Sequence, residues 1–169
     1  VNTTYYNALG ENEQALLLAR ALQIFMPGKP QVWYLDLFAG SNDYEAVKRA
    51  GAGGHKEINR TNFTQKDIES GLEKEVVKKQ LEMLKFRKEF PAFGFDAEME
   101  IRTKPAAQIS AQAENALYFA KIPDDQMYNR IYITWKKDGY LARLSADLKA
   151  HTYRIQALDP SGNLIWQMF

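Results

Sequence analysis

The 169 residues include 46% hydrophobic and 25% charged side chains, enough apolar material to bury a sizeable core and too much for wholesale disorder. Lys and Arg total 22 against 21 Asp and Glu, so no net field attracts nucleic acid or an anionic membrane. There is no cysteine, which excludes disulfides and thiolate chemistry. The two separated histidines, His55 and His151, do not make a zinc cluster, and no apolar run is long enough to span a bilayer. No cofactor or metal is expected, and the default location is the cytoplasm.

Val1 to Gly10 reads as a loop, and the chain enters ordered-looking sequence at once, as a piece of a longer protein would. Three glycosylation sequons (starting at Asn2, Asn59 and Asn62) are read as chance, since no signal peptide is visible. From Glu11 to about Met26 the apolar residues Ala15, Leu18, Ala19, Leu22, Phe25 and Met26 recur at helical spacing, and Leu16, Leu17 and Ile24 widen the stripe. This helix is expected to be buried on more than one side, interrupted only by Glu13, Arg20 and Gln23. The turn Pro27-Gly28-Lys29-Pro30 ends it.

Gln31 to Asp36 then reads as a strand buried on both faces, which suits a parallel sheet. A long glycine-containing connection runs from Leu37 to about Phe63. Loops of such length are usually functional or disordered, and its aromatic residues argue for order. Asp43 to Ala50 is a candidate short helix. Thr64 with Asp67 forms a capping-box pattern opening a helical region through Ile68, Leu72, Val76, Val77, Leu81 and Leu84. A break is expected near Gly71 to Glu73, and Pro91 stops the helix.

Beyond Ala92 the period changes to two. Runs through Ala97–Ile101, Ile109–Ala113, Ile131–Trp135, Tyr140–Leu148, Tyr153–Ala157 and Leu164–Met168 are separated by turn signals at Glu114-Asn115, Asp138-Gly139 and Asp159 to Gly162. They predict an antiparallel sheet of roughly six or seven strands with one buried face. The expected fold class is therefore α/β plus all-β. Residues 1–91 form a helix-strand-helix slice of a barrel, and residues 92–169 form a small antiparallel β domain.

The segments Val1 to Gly10 and Ala19 to Val32, then Ala39-Gly40 with Asn42-Asp43, Glu57 to Arg60, Val76-Val77 and Phe86-Arg87, together resemble the sucrose phosphorylase subfamily of the α-amylase-type glycoside hydrolases. The resemblance covers residues 1 to about 90 in order, and beyond that only the β type matches. It implies the C-terminal portion of a (β/α)8 barrel, namely its seventh helix, eighth strand and eighth helix, followed by a C-terminal β domain. It also implies α-glucosyl transfer to inorganic phosphate with retention, through an aspartate nucleophile and a glutamate acid/base. Retaining chemistry needs two carboxyls only ~5–5.5 Å apart. In the family these groups precede the position matching Val1, so the chain alone is expected to be inactive until joined to the missing N-terminal barrel portion. A sugar substrate and phosphate are the implied partners, with no nucleic acid or membrane, and a homodimer is one expected assembly.

In the family a leading arginine of an Arg-Asp-Ile-Asn-Arg stretch helps bind the glucosyl unit. Lys56 stands at that place, between His55 and Glu57, with Thr61 where histidine is usual. Lysine keeps the charge but loses the planar fork. The His-Lys-Glu-Ile-Asn-Arg-Thr form looks more like branches acting on sucrose 6'-phosphate or glucosylglycerate. The candidate substrate-binding residues are thus Lys56, His55 and Glu57, with an ordinary loop role as the alternative reading of Lys56 and His55. Asp36 and Asp43 are assigned structural roles, with a loop-fixing bond for Asp43, and Arg60 a buried ion-pair role. Trp33, Trp135 and Trp166 are expected in the core, and the basic face Lys78-Lys79 and Lys85 to Lys88 in solvent. A rival reading makes the chain a non-catalytic carbohydrate- or partner-binding α/β module.

Overall fold

In a computed structural model, residues 2–103 and 129–169 are described. The chain divides into two compact units, Val1–Phe86 and Arg87–Phe169.

The first unit is helical and builds on its second helix. Helix α1 (Tyr5–Ala8) is a single turn capped by Thr4, where a loop was expected. Helix α2 (Glu13–Phe25) starts where the Asn12 side chain accepts the Ala15 N–H at 3.0 Å, meeting one of the unpaired donors of its first turn. Leu16, Ala21, Ile24 and Phe25 on it are fully buried, together with Leu17 and Leu18, so the wide apolar stripe is covered as its composition predicts. Arg20 does not break the stripe: it is buried within it.

The predicted strand Gln31–Asp36 does not form. Residues 31–33 form no regular element, Trp33 is extended, and the chain then closes into helix α3 (Tyr34–Leu37), with Leu37 N–H bonded to Trp33 C=O at 3.0 Å and Phe38 N–H to Tyr34 C=O at 3.1 Å. A strand is defined by its ladder to a neighbour, and among the described residues none lies beside this segment. The carbonyls of Trp33, Tyr34, Leu35 and Asp36 instead accept locally, from the amides of Leu37, Phe38, Gly40 and Ala39. Leu35 is buried, but Trp33 is half-exposed rather than in the core.

Helix α4 (Tyr44–Ala50) is capped by the Asp43 side chain, which accepts the Ala46 N–H at 2.8 Å, the local fixing role expected of that residue. A 3-10 helix (Gly54–Asn59) follows. Helix α5 (Gln65–Leu72) opens with the predicted capping box between Thr64 and Asp67. It ends near the predicted break, and helix α6 (Glu75–Glu89) follows directly. Gly71 is required by packing: a Cβ there would lie 2.4 Å from Cδ1 of Phe38. On α5 the predicted stripe is not covered, for Ile68 and Leu72 are exposed, whereas Val76, Val77 and Met83 of α6 are buried.

Among the described residues the second unit contains a five-stranded antiparallel sheet in the order β1 (Glu98–Arg102), β2 (Arg130–Lys137), β3 (Tyr140–Asp147), β4 (Thr152–Leu158) and β5 (Leu164–Met168). The register stacks Ile133, Leu144, Ile155 and Met168 in one buried cross-strand row. Trp135, Ala142 and Ala157 form a second buried row, joined by the half-buried Trp166. One buried face is what alternation of period two demands. The β2–β3 hairpin turns on Asp138 and Gly139, both at positive φ, as a two-residue turn between twisted strands requires. The expected run Ile109–Ala113 and turn at Glu114-Asn115 lie outside the described residues. Arg87 is not part of a solvated basic face: its guanidinium sits over the rings of Phe93 at 4.3 Å and Trp135 at 4.9 Å.

Candidate functional site

His55, Lys56 and Glu57 follow one another on the 3-10 helix Gly54–Asn59, within the long connection. Three anchors hold this turn. Trp33 Nε1 donates to Asn59 C=O at 3.0 Å, Tyr34 Oη to Thr61 C=O at 2.8 Å, and Asp43 N–H to Ile58 C=O at 2.8 Å. Below them, the Tyr34 and Phe38 rings meet Phe63 at centroid distances of 5.5 and 5.2 Å. The residues that were read as a strand thus fix the loop through aromatic side chains, and the ordering expected of Phe38 and its neighbours is realised.

Three residues per turn separates adjacent side chains by about 120°, so the three candidates do not converge. Glu57 faces a cavity of about 580 Å³ that Asp43, Arg49, Arg60, Thr61 and Asn62 also line. His55 and Lys56 are exposed and lie outside it. Arg60 pairs with Glu57 at 3.4 Å, but both side chains are about half-exposed, so the ion pair exists without the burial expected of it. Exposed pairs of this kind contribute little to stability.

A second arrangement centres on Asp36 and Arg20. Asp36 Oδ1 accepts the Tyr5 N–H at 2.7 Å, and Asn42 Oδ1 accepts the Thr4 N–H at 2.7 Å, so the N-terminal turn is tied to α3 and to the loop that follows it. Asn42 N–H in turn donates to Asn7 Oδ1 at 2.5 Å. Arg20 Nε donates to Gln80 Oε1 at 2.8 Å and Nη1 to Gln23, while Gln80 Nε2 donates to Leu37 C=O at 2.8 Å. The Arg20 guanidinium lies 5.6 Å from the Tyr5 ring centroid. Burial holds the Arg20 pKa below its usual value despite the opposing fields of Tyr5 and Asp36. Burial also raises the Tyr5 hydroxyl, with Arg20 acting against it and Asp36 with it. Thr3, Thr4, Tyr5, Arg20, Gln31, Trp33 and Asp36 border a cavity of about 470 Å³.

Sequence reasoning missed Arg20, Gln80 and Asn42. The available signal was a charged residue inside an otherwise continuous apolar stripe, which calls for a partner on a facing element. Among the described residues no group of His, Asp and Glu is arranged to hold a metal ion, and no helix is long and apolar enough to cross a membrane.

No family model matches the chain. It is homologous to the C-terminal part of the sucrose-type glucoside phosphorylases. It is 47% identical over 147 residues to a sucrose 6(F)-phosphate phosphorylase of Ilumatobacter coccineus, covering 87% of this chain and 28% of that protein. It is 33% identical over 132 residues to a glucosylglycerol phosphorylase of Marinobacter adhaerens, covering 78% of this chain and 27% of that one. The crystal structure of sucrose 6F-phosphate phosphorylase from Thermoanaerobacter thermosaccharolyticum superposes with a TM-score of 0.77 at 36% identity, over 99% of this chain and 29% of that one. The chain thus spans about 28% of the length of the curated relatives it matches.

Proposed function

We propose that the chain is the C-terminal part of a retaining α-glucoside phosphorylase. The whole protein transfers a glucosyl unit from sucrose, sucrose 6'-phosphate or a related glucoside to inorganic phosphate, releasing α-glucose 1-phosphate. In this reading residues 1–91 supply the last part of a (β/α)8 barrel, and residues 92–169 the β domain that follows it. The protein works in the cytoplasm, and a homodimer is its expected assembly. The observation that carries the reading is likeness of sequence and fold together, at 36% identity and a TM-score of 0.77 over 99% of the chain, to a sucrose 6F-phosphate phosphorylase.

The carboxylates that perform the chemistry belong to the rest of the polypeptide. What this chain contributes is a braced loop carrying Lys56, with His55 and Glu57 beside it. A lysine ammonium donates to a sugar hydroxyl or phosphate oxygen as a point charge. The anchors from Trp33, Tyr34 and Asp43 limit how far that charge can wander.

The test is phosphate-dependent release of glucose 1-phosphate by the full-length protein, with sucrose and sucrose 6'-phosphate offered separately. Release from either supports the reading, and failure on every α-glucoside overturns it. Lys56→Ala is expected to lower kcat/KM by about 10- to 100-fold, the range for losing one charged hydrogen bond. Unchanged kinetics would remove Lys56 from the site.

A further inference from the structure

The sheet has two faces, and the core uses one of them. On the other, the register of β2, β3 and β4 lays down the cross-strand rows Arg130–Asp147–Thr152 and Tyr132–Ser145–Arg154. Arg143 stands on the same face, two residues along β3 from Ser145. These seven residues include three arginines and one aspartate. Their surplus of two positive charges is concentrated on one patch of a chain whose net charge is only +1.

The one carboxylate is already committed. Asp147 Oδ2 meets Arg130 Nε at 3.2 Å, and its Oδ1 accepts the N–H groups of Lys149 at 3.1 Å and Ala150 at 2.9 Å. Arg143 is half-buried, and among the described residues it has neither an ion pair nor a hydrogen bond; burial holds its pKa below the usual value. The Arg154 guanidinium lies over the Phe169 ring, 4.9 Å from its centroid. A stacked guanidinium presents its N–H donors in its own plane, at right angles to the stacking contact. The two rows and Phe169 line a cavity of about 260 Å³. That is just under the ~300 Å³ at which pockets for drug-sized ligands begin, so it suits a molecule of single-sugar size. Tyr132, Ser145 and Thr152 bring hydroxyl groups to its wall, and hydroxyls beside guanidiniums suit an anion that also carries hydroxyls of its own.

We propose that this cavity on the outer face of β2, β3 and β4 binds a phosphate ester of a small sugar or polyol. Arg154 donates to the phosphoryl oxygens, Ser145 and Thr152 meet the hydroxyls, and Arg143 adds its field from the neighbouring row. All of these residues belong to the second unit. The site therefore stands or falls separately from the phosphorylase reading.

Isothermal titration calorimetry of the full-length protein with glucose 6-phosphate, glucose and inorganic phosphate tests this. Glucose 6-phosphate is expected to bind at least about tenfold more tightly than either of the others, because only it engages both the guanidinium and the hydroxyls. Arg154→Gln is expected to weaken its binding by about tenfold or more, the effect of losing a charged hydrogen bond. Arg154→Lys should lose less, since it keeps the charge without the planar fork. Arg143→Gln should cost about threefold, a charge acting across one row spacing, and the wild-type affinity should fall with added salt. Glucose binding as tightly as its phosphate overturns the proposal, as does inorganic phosphate doing so. Binding of glucose 6-phosphate that is unchanged in Arg154→Gln and Arg143→Gln places the ligand elsewhere and overturns it too. If Arg154→Gln does not fold, full wild-type affinity in both Arg154→Lys and Arg143→Gln has the same force. Calorimetry is read without turnover, so binding by an inactive protein sinks the functional reading alone. An active enzyme whose glucose 6-phosphate affinity ignores Arg154 and Arg143 sinks this inference alone.

Discussion

Asp36 Oδ1 accepts the Tyr5 main-chain N–H at 2.7 Å, joining residues 31 apart in sequence. The bond meets a donor at the start of α1 that the helix cannot meet itself. It also sets a negative charge near the buried Arg20, whose field it feels. The Asp36 carboxylate is therefore a fastener.

Asp36→Ala is expected to destabilise the fold by about 1–3 kcal/mol, the range for stranding a partly buried donor. Asp36→Asn keeps an acceptor oxygen and should lose less. Urea midpoints at constant slope measure both, and equal midpoints for wild type and Asp36→Ala would refute the assigned role.

The Arg20–Gln80 bond crosses from α2 to α6 at 2.8 Å, inside a region where both side chains are buried. Gln80→Leu removes the acceptor for Arg20 Nε and the donor for Leu37 C=O, and should cost about 2–4 kcal/mol. The double variant Arg20→Met with Gln80→Leu should cost at least about 1 kcal/mol less than the sum of the single changes, because no charge is then stranded. Simple additivity in a double-mutant cycle would show the two residues to be uncoupled.

Gly71→Ala pits local preference against packing. Alanine gains about 1 kcal/mol of helix propensity. Its Cβ, however, would meet Phe38 Cδ1 at 2.4 Å, and Phe38 is held against Phe63. Overpacking of this kind costs about 1–3 kcal/mol, so a net loss of thermal stability is expected. A higher Tm for Gly71→Ala would show that the Phe38 ring yields freely.

Asp159 governs the β4–β5 turn. Its carboxylate accepts from Asn163 Nδ2 at 3.0 Å, from Asn163 N–H at 2.8 Å and from Ser161 N–H at 2.9 Å, and these bonds hold its pKa below the usual 3.8. The folded state therefore binds the proton less readily than the unfolded chain. The contribution is complete above the unfolded pKa and is lost as pH falls through the depressed folded value. The stability gap between wild type and Asp159→Ala should be constant near neutrality and shrink from about pH 4 downward. A gap that does not change with acid would mean that the charged form is not the one being bonded.

Much of the second unit was legible along the chain. Alternation in Ile131–Trp135, Tyr140–Leu148 and Tyr153–Ala157 places residues on opposite faces whatever lies nearby, and Asp138-Gly139 favours its own turn. Capping by Asp43 and by Thr64 with Asp67 was legible for the same reason, since each side chain bonds a backbone three residues away. The local sequence of the candidate loop marked His55, Lys56 and Glu57, but the 3-10 turn that points Glu57 into a cavity and leaves the other two outside was not visible in it.

The sequence by itself determined what depends on short range: period, caps, turns and the apolar stripe of α2. Only the tertiary structure decided what depends on a distant partner. Gln31–Asp36 has a strand's composition, but a strand requires a neighbour's amides, and without them its second half closed into a helical turn. Arg20 looked like a break in a stripe, and Gln80, 60 residues away, made it a buried tie. Propensity acts residue by residue, whereas ladder bonds and buried polar pairs exist only once two remote segments have met.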